Sequence, residues 1–199
     1  WLVAYQNEAY AARYEQLGRR AMAVERDCCG SAGRLSEAVA RYYAKVMAYK
    51  DEYEVGRLLS GEVLKKQLET QFEGDYRIAF NLAPPLLARR DPLTGRYRKR
   101  EFGAGLMPFF AVLARLKFLR GTAFDIFGYS AHRRRERALV SEYEQLVQTL
   151  LGGLHRGNVD IAVKLASLPE RVRGFDVVKE ASMDQARELQ QTLLMEFAD

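Results

Sequence analysis

Apolar residues recur along most of the chain at spacings of three, four or seven, which is the period of a helix that buries one face. The pattern predicts about seven helices. They cover residues 1–27, 36–59, 62–72, 106–119, 130–151, 158–168 and 176–197. Ser36, Ser130 and Asn158 stand where helix N-caps are expected. We therefore predict a mainly α protein with a single multi-helix domain over residues 1–199.

One segment departs from the helical period. Alternate residues from Tyr76 to Leu82 are large and apolar, which is typical of a β-strand. Pro84 and Pro85 end this strand, because proline has no N–H to donate to a neighbouring strand. Residues 91–95 are rich in turn formers. We predict an irregular insertion over residues 74–103 that contains a small β-hairpin near residues 76–102.

Composition places the chain among globular proteins, with 48% hydrophobic residues, 29% charged residues and a net charge of +5. No apolar run approaches the roughly 20 residues that a membrane span needs, so no membrane partner is expected. Cys28 and Cys29 are adjacent and do not form a disulfide scaffold, which favours a reducing, cytoplasmic compartment. The chain opens at Trp1 inside a helical pattern, without Met or a leader, so we expect a fragment of a larger protein.

Sequence signatures of catalysis are missing. The chain has no glycine-rich nucleotide loop, no nucleophile elbow and no zinc-binding helix signature. His132 and His155 are far apart and have no other ligand at metal-binding spacing. Two adjacent cysteines cannot supply the four ligands of an iron–sulfur cluster. We therefore expect no catalytic, cofactor-binding or metal-binding residue in this chain.

Charged stretches form a candidate polar interface or network. Arginines crowd the first turns of the helix predicted from residue 130, where the helix macrodipole disfavours cations. We expect them to find carboxylates in residues 50–54, another domain or a phosphate, with a solvated basic surface as the alternative. Asp51 shares a helix face with Val55, so it either faces solvent or turns inward to an arginine. The candidates are Lys50, Asp51, Glu54, Arg89, Arg90, Asp91, Lys99, Arg100, Glu101, Arg133, Arg134 and Arg137.

Nucleic acid is not an expected partner. A nucleic-acid surface combines a basic stripe with aromatic residues on which bases stack. Acidic residues interrupt every basic run here, and most aromatics lie on the apolar faces of predicted helices. One alternative function remains open at this point. The chain could be an independent helical binding module whose arginine-rich patches take an anionic partner, such as CoA, nucleic acid or an acidic protein.

Seven short strings, in the right order and spacing over about residues 40–180, carry a family resemblance. Together they resemble the C-terminal region of the single-chain bacterial indolepyruvate ferredoxin oxidoreductases. The strings are VMAYKDEYEV (46–55), FEGDY (72–76), LAPPLLARRD (82–91), KREFG (99–103), RGTAFDIFGY (120–129), ASLP (166–169) and RGF (173–175). One departure is visible, because residues 176–179 read DVVK where the family reads GHVK.

The resemblance implies a parent enzyme that oxidatively decarboxylates 2-oxoacids such as indolepyruvate to aryl-acetyl-CoA. Thiamine diphosphate, Mg and iron–sulfur clusters are expected in the rest of that enzyme, and ferredoxin accepts the electrons. In this chain Gly74-Asp75-Tyr76 lacks the second glycine of a thiamine diphosphate site, and no Asn pair follows. We therefore expect a non-catalytic C-terminal accessory domain. Its partners would be other domains of the same polypeptide, and the parent would be a homo-oligomer.

Overall fold

The computed structural model describes residues 1–60, 62–74, 77–82, 100–172 and 177–198. Within these ranges it contains nine α-helices and one two-stranded antiparallel sheet, which confirms the predicted mainly α fold with a small hairpin. The chain divides into two compact units, the first formed by Trp1–Tyr49 and Arg134–Asp199 and the second by Lys50–Arg133. The prediction of one domain over residues 1–199 stays a prediction.

The elements follow one another in simple order. The helices are α1 (Leu2–Tyr5), α2 (Glu8–Cys29), α3 (Arg34–Met47), α4 (Glu52–Ser60), α5 (Glu62–Gln71), α6 (Met107–Arg115), α7 (Ala131–Gly152), α8 (Val159–Ala166) and α9 (Val177–Ala198). The strands are β1 (Ala79–Leu82) and β2 (Arg100–Gly103). Short 3₁₀ turns cover Ala104–Leu106, Leu116–Leu119 and Leu168–Glu170. Among the described residues, no helix is long and apolar enough to cross a membrane.

Two interruptions raise the number of described helices from the predicted seven to nine. The first predicted helix breaks at Gln6, and α2 restarts with the Asn7 side chain accepting the Tyr10 N–H at 2.8 Å. The second breaks over residues 48–51, and α4 restarts with Asp51 Oδ1 accepting the Glu54 N–H at 2.8 Å. At each break a side-chain oxygen caps the new helix by accepting one of its first N–H groups. Inside a continuous helix those N–H groups would bind backbone carbonyls instead. The predicted single helix over residues 36–59 is therefore wrong.

The start of α3 also differs from the prediction. Ser36 is not its N-cap, because the helix begins at Arg34 and its first N–H groups are bound by Glu25 of α2. The buried Glu25 carboxylate accepts the N–H groups of Gly33, Leu35 and Ser36 at 2.9, 2.8 and 2.9 Å. A carboxylate at a helix N-terminus satisfies orphan donors and complements the macrodipole. The α2–α3 corner is thus fixed by one side chain.

The first unit has a core of aliphatic side chains and stacked tyrosines. Leu35, Leu150 and Leu165 have no exposed surface, and burial of such a side chain contributes about 1.5–3 kcal/mol. The rings of Tyr43 and Tyr143 stack with centroids 5.9 Å apart. Tyr143 donates its buried hydroxyl to the Ala166 carbonyl at 2.8 Å. The Tyr143 hydroxyl thereby has a hydrogen-bond partner inside the core.

The second unit has a smaller core around Phe80, Phe110 and Leu113. Strands β1 and β2 pair with Phe80 opposite Phe102, and Phe80 meets Phe110 of α6 edge-on with ring centroids 5.0 Å apart. Alternation along the strand therefore places Phe80 inward, as the period-two pattern predicted. Helices α4 and α6 approach closely at Gly56, which lies beside Leu113.

Candidate functional site: a loop anchored by buried charges

Residues 120–130 join the Leu116–Leu119 turn to α7 and form what we call the anchored loop. Arg120, Asp125 and Gly128 are buried, whereas most of its other residues are exposed. Asp125 is 4% exposed, whereas its neighbours Phe124 and Ile126 are 75% and 68% exposed. Tyr129 is 64% exposed and donates its hydroxyl to the Ala123 carbonyl of the same loop at 2.7 Å. The loop therefore faces solvent with large apolar groups and faces the interior with a charge.

Arg120 attaches the beginning of the loop to the beginning of α4. Its Nε and Nη2 donate to the two carboxylate oxygens of Asp51 at 2.5 and 2.9 Å. The Arg120 and Asp51 side chains are only 6% and 4% exposed. This two-point geometry is the strongest form of arginine–carboxylate contact, and inside a protein it is little screened.

Tyr53 connects this ion pair to the middle of the loop. The Arg120 guanidinium lies 5.6 Å from the Tyr53 ring centroid, and the Tyr53 hydroxyl donates to Asp125 Oδ1 at 3.1 Å. Burial, followed by the nearby Asp125 charge, raises the pKa of Tyr53 well above its ordinary value of 10. Tyr53 therefore stays a neutral hydrogen-bond donor. Phe127 packs edge-on against its ring with centroids 5.5 Å apart.

Asp125 organises the loop backbone. Its Oδ2 accepts the Gly121 N–H at 2.8 Å, and its Oδ1 accepts the Gly128 N–H at 3.0 Å. Gly121 has φ +78°, a left-handed conformation that favours glycine. With the Tyr53 hydroxyl included, three donors converge on one buried carboxylate. A turn held in this way has little freedom to change shape.

Two further ion pairs surround this centre. Glu54 of α4 is buried and binds Arg57 through two hydrogen bonds of 2.8 and 2.7 Å, which raises the pKa of Arg57. Arg133, at the start of α7, donates to Glu52 at 3.2 and 3.1 Å and to the Lys50 carbonyl at 2.9 Å. The first turn of α4 thus carries carboxylates that meet arginines from several parts of the second unit.

The structure brings some of the predicted site residues together and separates others. Asp51 turns inward to an arginine, and Arg133 meets Glu52 of the predicted acidic stretch. Glu54 instead binds Arg57 on its own helix. Arg100 and Glu101 are exposed on β2, where Glu101 lies 3.8 Å from Arg77. Of the others, Arg134 is exposed, Arg137 is partly buried, and Arg89, Arg90, Asp91 and Lys99 lie outside the described residues.

The sequence interpretation missed the centre of this arrangement. Neither Arg120 nor Asp125 was a candidate, although both are buried. One signal was present, because Asp125 is a single charge within the aromatic run from Phe124 to Tyr129. A lone carboxylate among large apolar residues indicates either exposure or a specific buried partner. The partner of Asp51, 69 positions away in the chain, had no local signal.

The buried carboxylates of this site accept hydrogen bonds from arginine, tyrosine and backbone donors, an arrangement that fixes backbone shape. Over the residues that the structure describes, no group of three or more His, Cys, Asp or Glu is placed to hold a metal ion. The arrangement suits a contact surface, in which a stiff loop presents Phe124, Ile126 and Tyr129 outward.

Fold and site together define a mainly α protein that presents an apolar loop on a buried charged frame. Residues 1–192 match the family of unknown function DUF6537, and the chain belongs to that family. No curated protein matches the chain, and no solved structure matches it.

Proposed function

We propose that this chain is a non-catalytic accessory domain of an indolepyruvate ferredoxin oxidoreductase, and that the anchored loop binds a neighbouring domain of that enzyme. The parent would convert 2-oxoacids to aryl-acetyl-CoA in the cytoplasm, with CoA as substrate and ferredoxin as electron acceptor. Thiamine diphosphate, Mg and iron–sulfur clusters would be held by other domains. The parent would be a homo-oligomer.

The observation that carries this proposal is the convergence of two family-like strings on one site. Residues 46–55 contain Asp51 and Tyr53, while residues 120–129 contain Arg120 and Asp125. In the fold Asp51 binds Arg120, and Tyr53 binds Asp125. Strings far apart in the sequence therefore form one structural unit, as expected if the resemblance reflects a shared local structure.

The surface of the anchored loop supports a contact role. Phe124, Ile126 and Tyr129 are 75%, 68% and 64% exposed on a backbone that Asp125 holds in place. Protein interfaces are enriched in aromatic residues at their centres, and a rigid loop loses little entropy on binding. The loop is therefore suited to packing against another protein surface.

The alternative of an independent module for an anionic partner has less support. Arg133 is engaged by Glu52 and the Lys50 carbonyl, and Arg135 lies 3.4 Å from Asp184. These carboxylates neutralise part of the predicted basic patch on α7. Of the other patch, Arg89–Arg100, the structure describes Arg100, which is exposed on β2, and residues 89–99 lie outside the described residues.

The first test is the reading frame that encodes the chain. The proposal requires thiamine diphosphate and iron–sulfur domains in the same polypeptide or in an adjacent subunit gene. The complete protein should then reduce ferredoxin when supplied with indolepyruvate and CoA. A complete protein without such domains, or one with them that does not oxidise 2-oxoacids, would overturn the proposal.

The second test addresses the loop. In the complete protein, the double variant Phe124→Ser and Ile126→Ser should lower ferredoxin reduction at least about tenfold, since interface centres carry most binding energy. Met195→Ser on α9 is the matched control, because Met195 is also 69% exposed but lies outside the loop. Equal activity of both variants would contradict docking through this loop.

A further inference from the structure

Helix α2 ends on two adjacent cysteines, Cys28 and Cys29, which are the only cysteines of the sequence and are both free thiols. Both side chains are partly exposed. Side chains one position apart on a helix normally point away from each other. Here the two thiols meet, because a hydrogen bond joins the Cys29 thiol to that of Cys28. The pair therefore offers two sulfur atoms side by side within reach of solvent.

The backbone that carries the two thiols is held on both sides. Gly30 has a left-handed conformation with φ +82° and donates its N–H to the Arg26 carbonyl at 2.8 Å, which closes the last turn of α2. Arg156 Nε donates to the Cys28 carbonyl at 3.1 Å. A ligand that needs both sulfurs therefore finds them already in place, and little conformational entropy is lost on binding.

A direct bond between these two sulfurs is strained. Adjacent Cα atoms lie about 3.8 Å apart across a trans peptide bond, whereas disulfides usually join Cα atoms roughly 4.4–6.8 Å apart. One atom placed between the sulfurs removes this constraint, since each sulfur then bonds the bridging atom instead of the other sulfur. The chemistry matched to the pair is therefore capture of a soft atom that accepts two sulfur ligands.

Charges near the thiols favour a bridged product that is neutral. Partial burial raises the pKa of the Cys29 thiol, the Cys28 hydrogen bond and the Glu25 carboxylate raise it further, and Arg156 opposes them in part. Additional negative charge is thus disfavoured beside the buried Glu25. Two thiolates on a monovalent ion such as Cu(I) keep a net negative charge. Two thiols that condense with an organic arsenic(III) group form a neutral product instead.

We propose that Cys28 and Cys29 together form a chelating site for trivalent arsenicals of the type R–As(OH)₂. Each S–H gives its proton to one arsenic-bound hydroxyl, which leaves as water, while the sulfur takes its place on arsenic. Two As–S and two O–H bonds form as two As–O and two S–H bonds break, and no atom changes its oxidation state. The site is distinct from the anchored loop, and the proposal does not depend on the accessory role above.

The first experiment counts the thiols that one arsenical consumes. Phenylarsine oxide, whose hydrated form carries two hydroxyls, is added to the reduced 199-residue chain, and intact mass is measured before and after alkylation with N-ethylmaleimide. One phenylarsenic group per chain should protect both thiols. Excess mercaptoethanol should not release it, whereas dimercaptopropanol should, because a dithiol competes as a chelate. Two phenylarsenic groups per chain, or one that leaves a thiol free, would overturn the proposal.

Serine variants test the chelation. Cys28→Ser and Cys29→Ser should each weaken phenylarsine oxide binding at least about a hundredfold, since the second bond of a linked pair multiplies affinity by roughly 10²–10⁴. Cys29→Ser combined with Ala23→Cys is the matched control, because its second thiol lies at an exposed position more than one helical turn from Cys28. This control should bind as weakly as Cys29→Ser alone.

Wild-type affinity in either serine variant, or in the control with two separated thiols, would overturn the proposal. Circular dichroism reports whether each variant keeps its helices. If a variant does not fold, the mass measurements on the unsubstituted chain decide the proposal.

Discussion

Arg120 donates two hydrogen bonds to Asp51 in the interior of the second unit, across 69 positions of sequence. The same Asp51 carboxylate accepts the Glu54 N–H and so caps α4. One side chain therefore sets where a helix begins and where the anchored loop begins. This double use makes the pair a sensitive point of the fold.

Arg120→Met should lower the free energy of unfolding by about 3–5 kcal/mol, because it leaves the buried Asp51 charge without its partner. Chemical denaturation followed by circular dichroism measures the change. Arg19→Met is the control, since the Arg19–Glu15 pair is 77% and 61% exposed and should contribute no more than about 0.5 kcal/mol. Similar small losses of unfolding free energy in both variants would mean that the buried Asp51 carboxylate is stable without Arg120.

Asp125→Ala should release the anchored loop while leaving the helices intact. The substitution removes the acceptor of the Gly121 and Gly128 N–H groups and of the Tyr53 hydroxyl. Amide hydrogen exchange at Gly121 and Gly128 should accelerate at least about tenfold. Asp160→Ala removes a carboxylate that is 71% exposed and should leave these amides unchanged. Unchanged exchange in Asp125→Ala would contradict the anchoring role.

Local signals explain which parts of the fold were predictable. Ser130 accepts the Arg133 N–H at 3.2 Å and precedes α7, as its position in the sequence indicated. Helix α5 ends at Gln71 and α7 at Gly152, close to the predicted ends. In these places the cap residues, the glycines and the apolar spacing all indicate the same helix end. The folded chain therefore keeps the helix boundary that its local sequence favours.

The break before α4 was not predictable in the same way. Met47 and Tyr49 continue the apolar spacing of a helix, and both are buried in the structure. The break becomes favourable because Asp51 gains both the Glu54 N–H and Arg120. Since Arg120 is distant in sequence, its influence on residues 48–51 exists only once the chain has folded. The centre of the candidate site was missed for the same reason.

Glu25 should make stability depend on pH. Burial raises its pKa, but hydrogen bonds from the Gly33, Leu35 and Ser36 N–H groups outweigh burial, and folding lowers the pKa below its ordinary 4.5. Its stabilising contribution is therefore complete above about pH 4.5 and disappears as pH falls through the lower folded value.

Unfolding free energies of Glu25→Gln between pH 3 and pH 7 test this expectation. The variant should be less stable near neutrality by about 1–3 kcal/mol, because its amide cannot serve all three donors. Its deficit should shrink toward pH 3, where the wild-type carboxylate gains a proton. Glu15→Gln, an exposed carboxylate on the same helix, is the control. A deficit that does not vary with pH would contradict the role of the Glu25 charge.

Gly56 and Gly18 should respond in opposite ways to the same substitution. Both lie inside helices, where alanine is favoured over glycine by about 1 kcal/mol. A Cβ at Gly56 would lie 2.8 Å from Leu113 Cβ and 2.9 Å from the Phe110 carbonyl oxygen, whereas nothing lies within 4 Å of one at Gly18. Contacts this short force α4 away from α6, and such overpacking typically costs about 1–3 kcal/mol.

Gly18→Ala should therefore raise the free energy of unfolding by up to about 1 kcal/mol. Gly56→Ala should lower it, because backbone and Cβ atoms of α6 cannot rotate away as a flexible side-chain end could. Denaturant titrations of both variants beside wild type give the two signs in one experiment. Stabilisation by Gly56→Ala would mean that α4 and α6 are farther apart than the structure places them. Destabilisation by Gly18→Ala would mean that another part of the protein packs against α2 at Gly18, where the structure places nothing within 4 Å of an added Cβ.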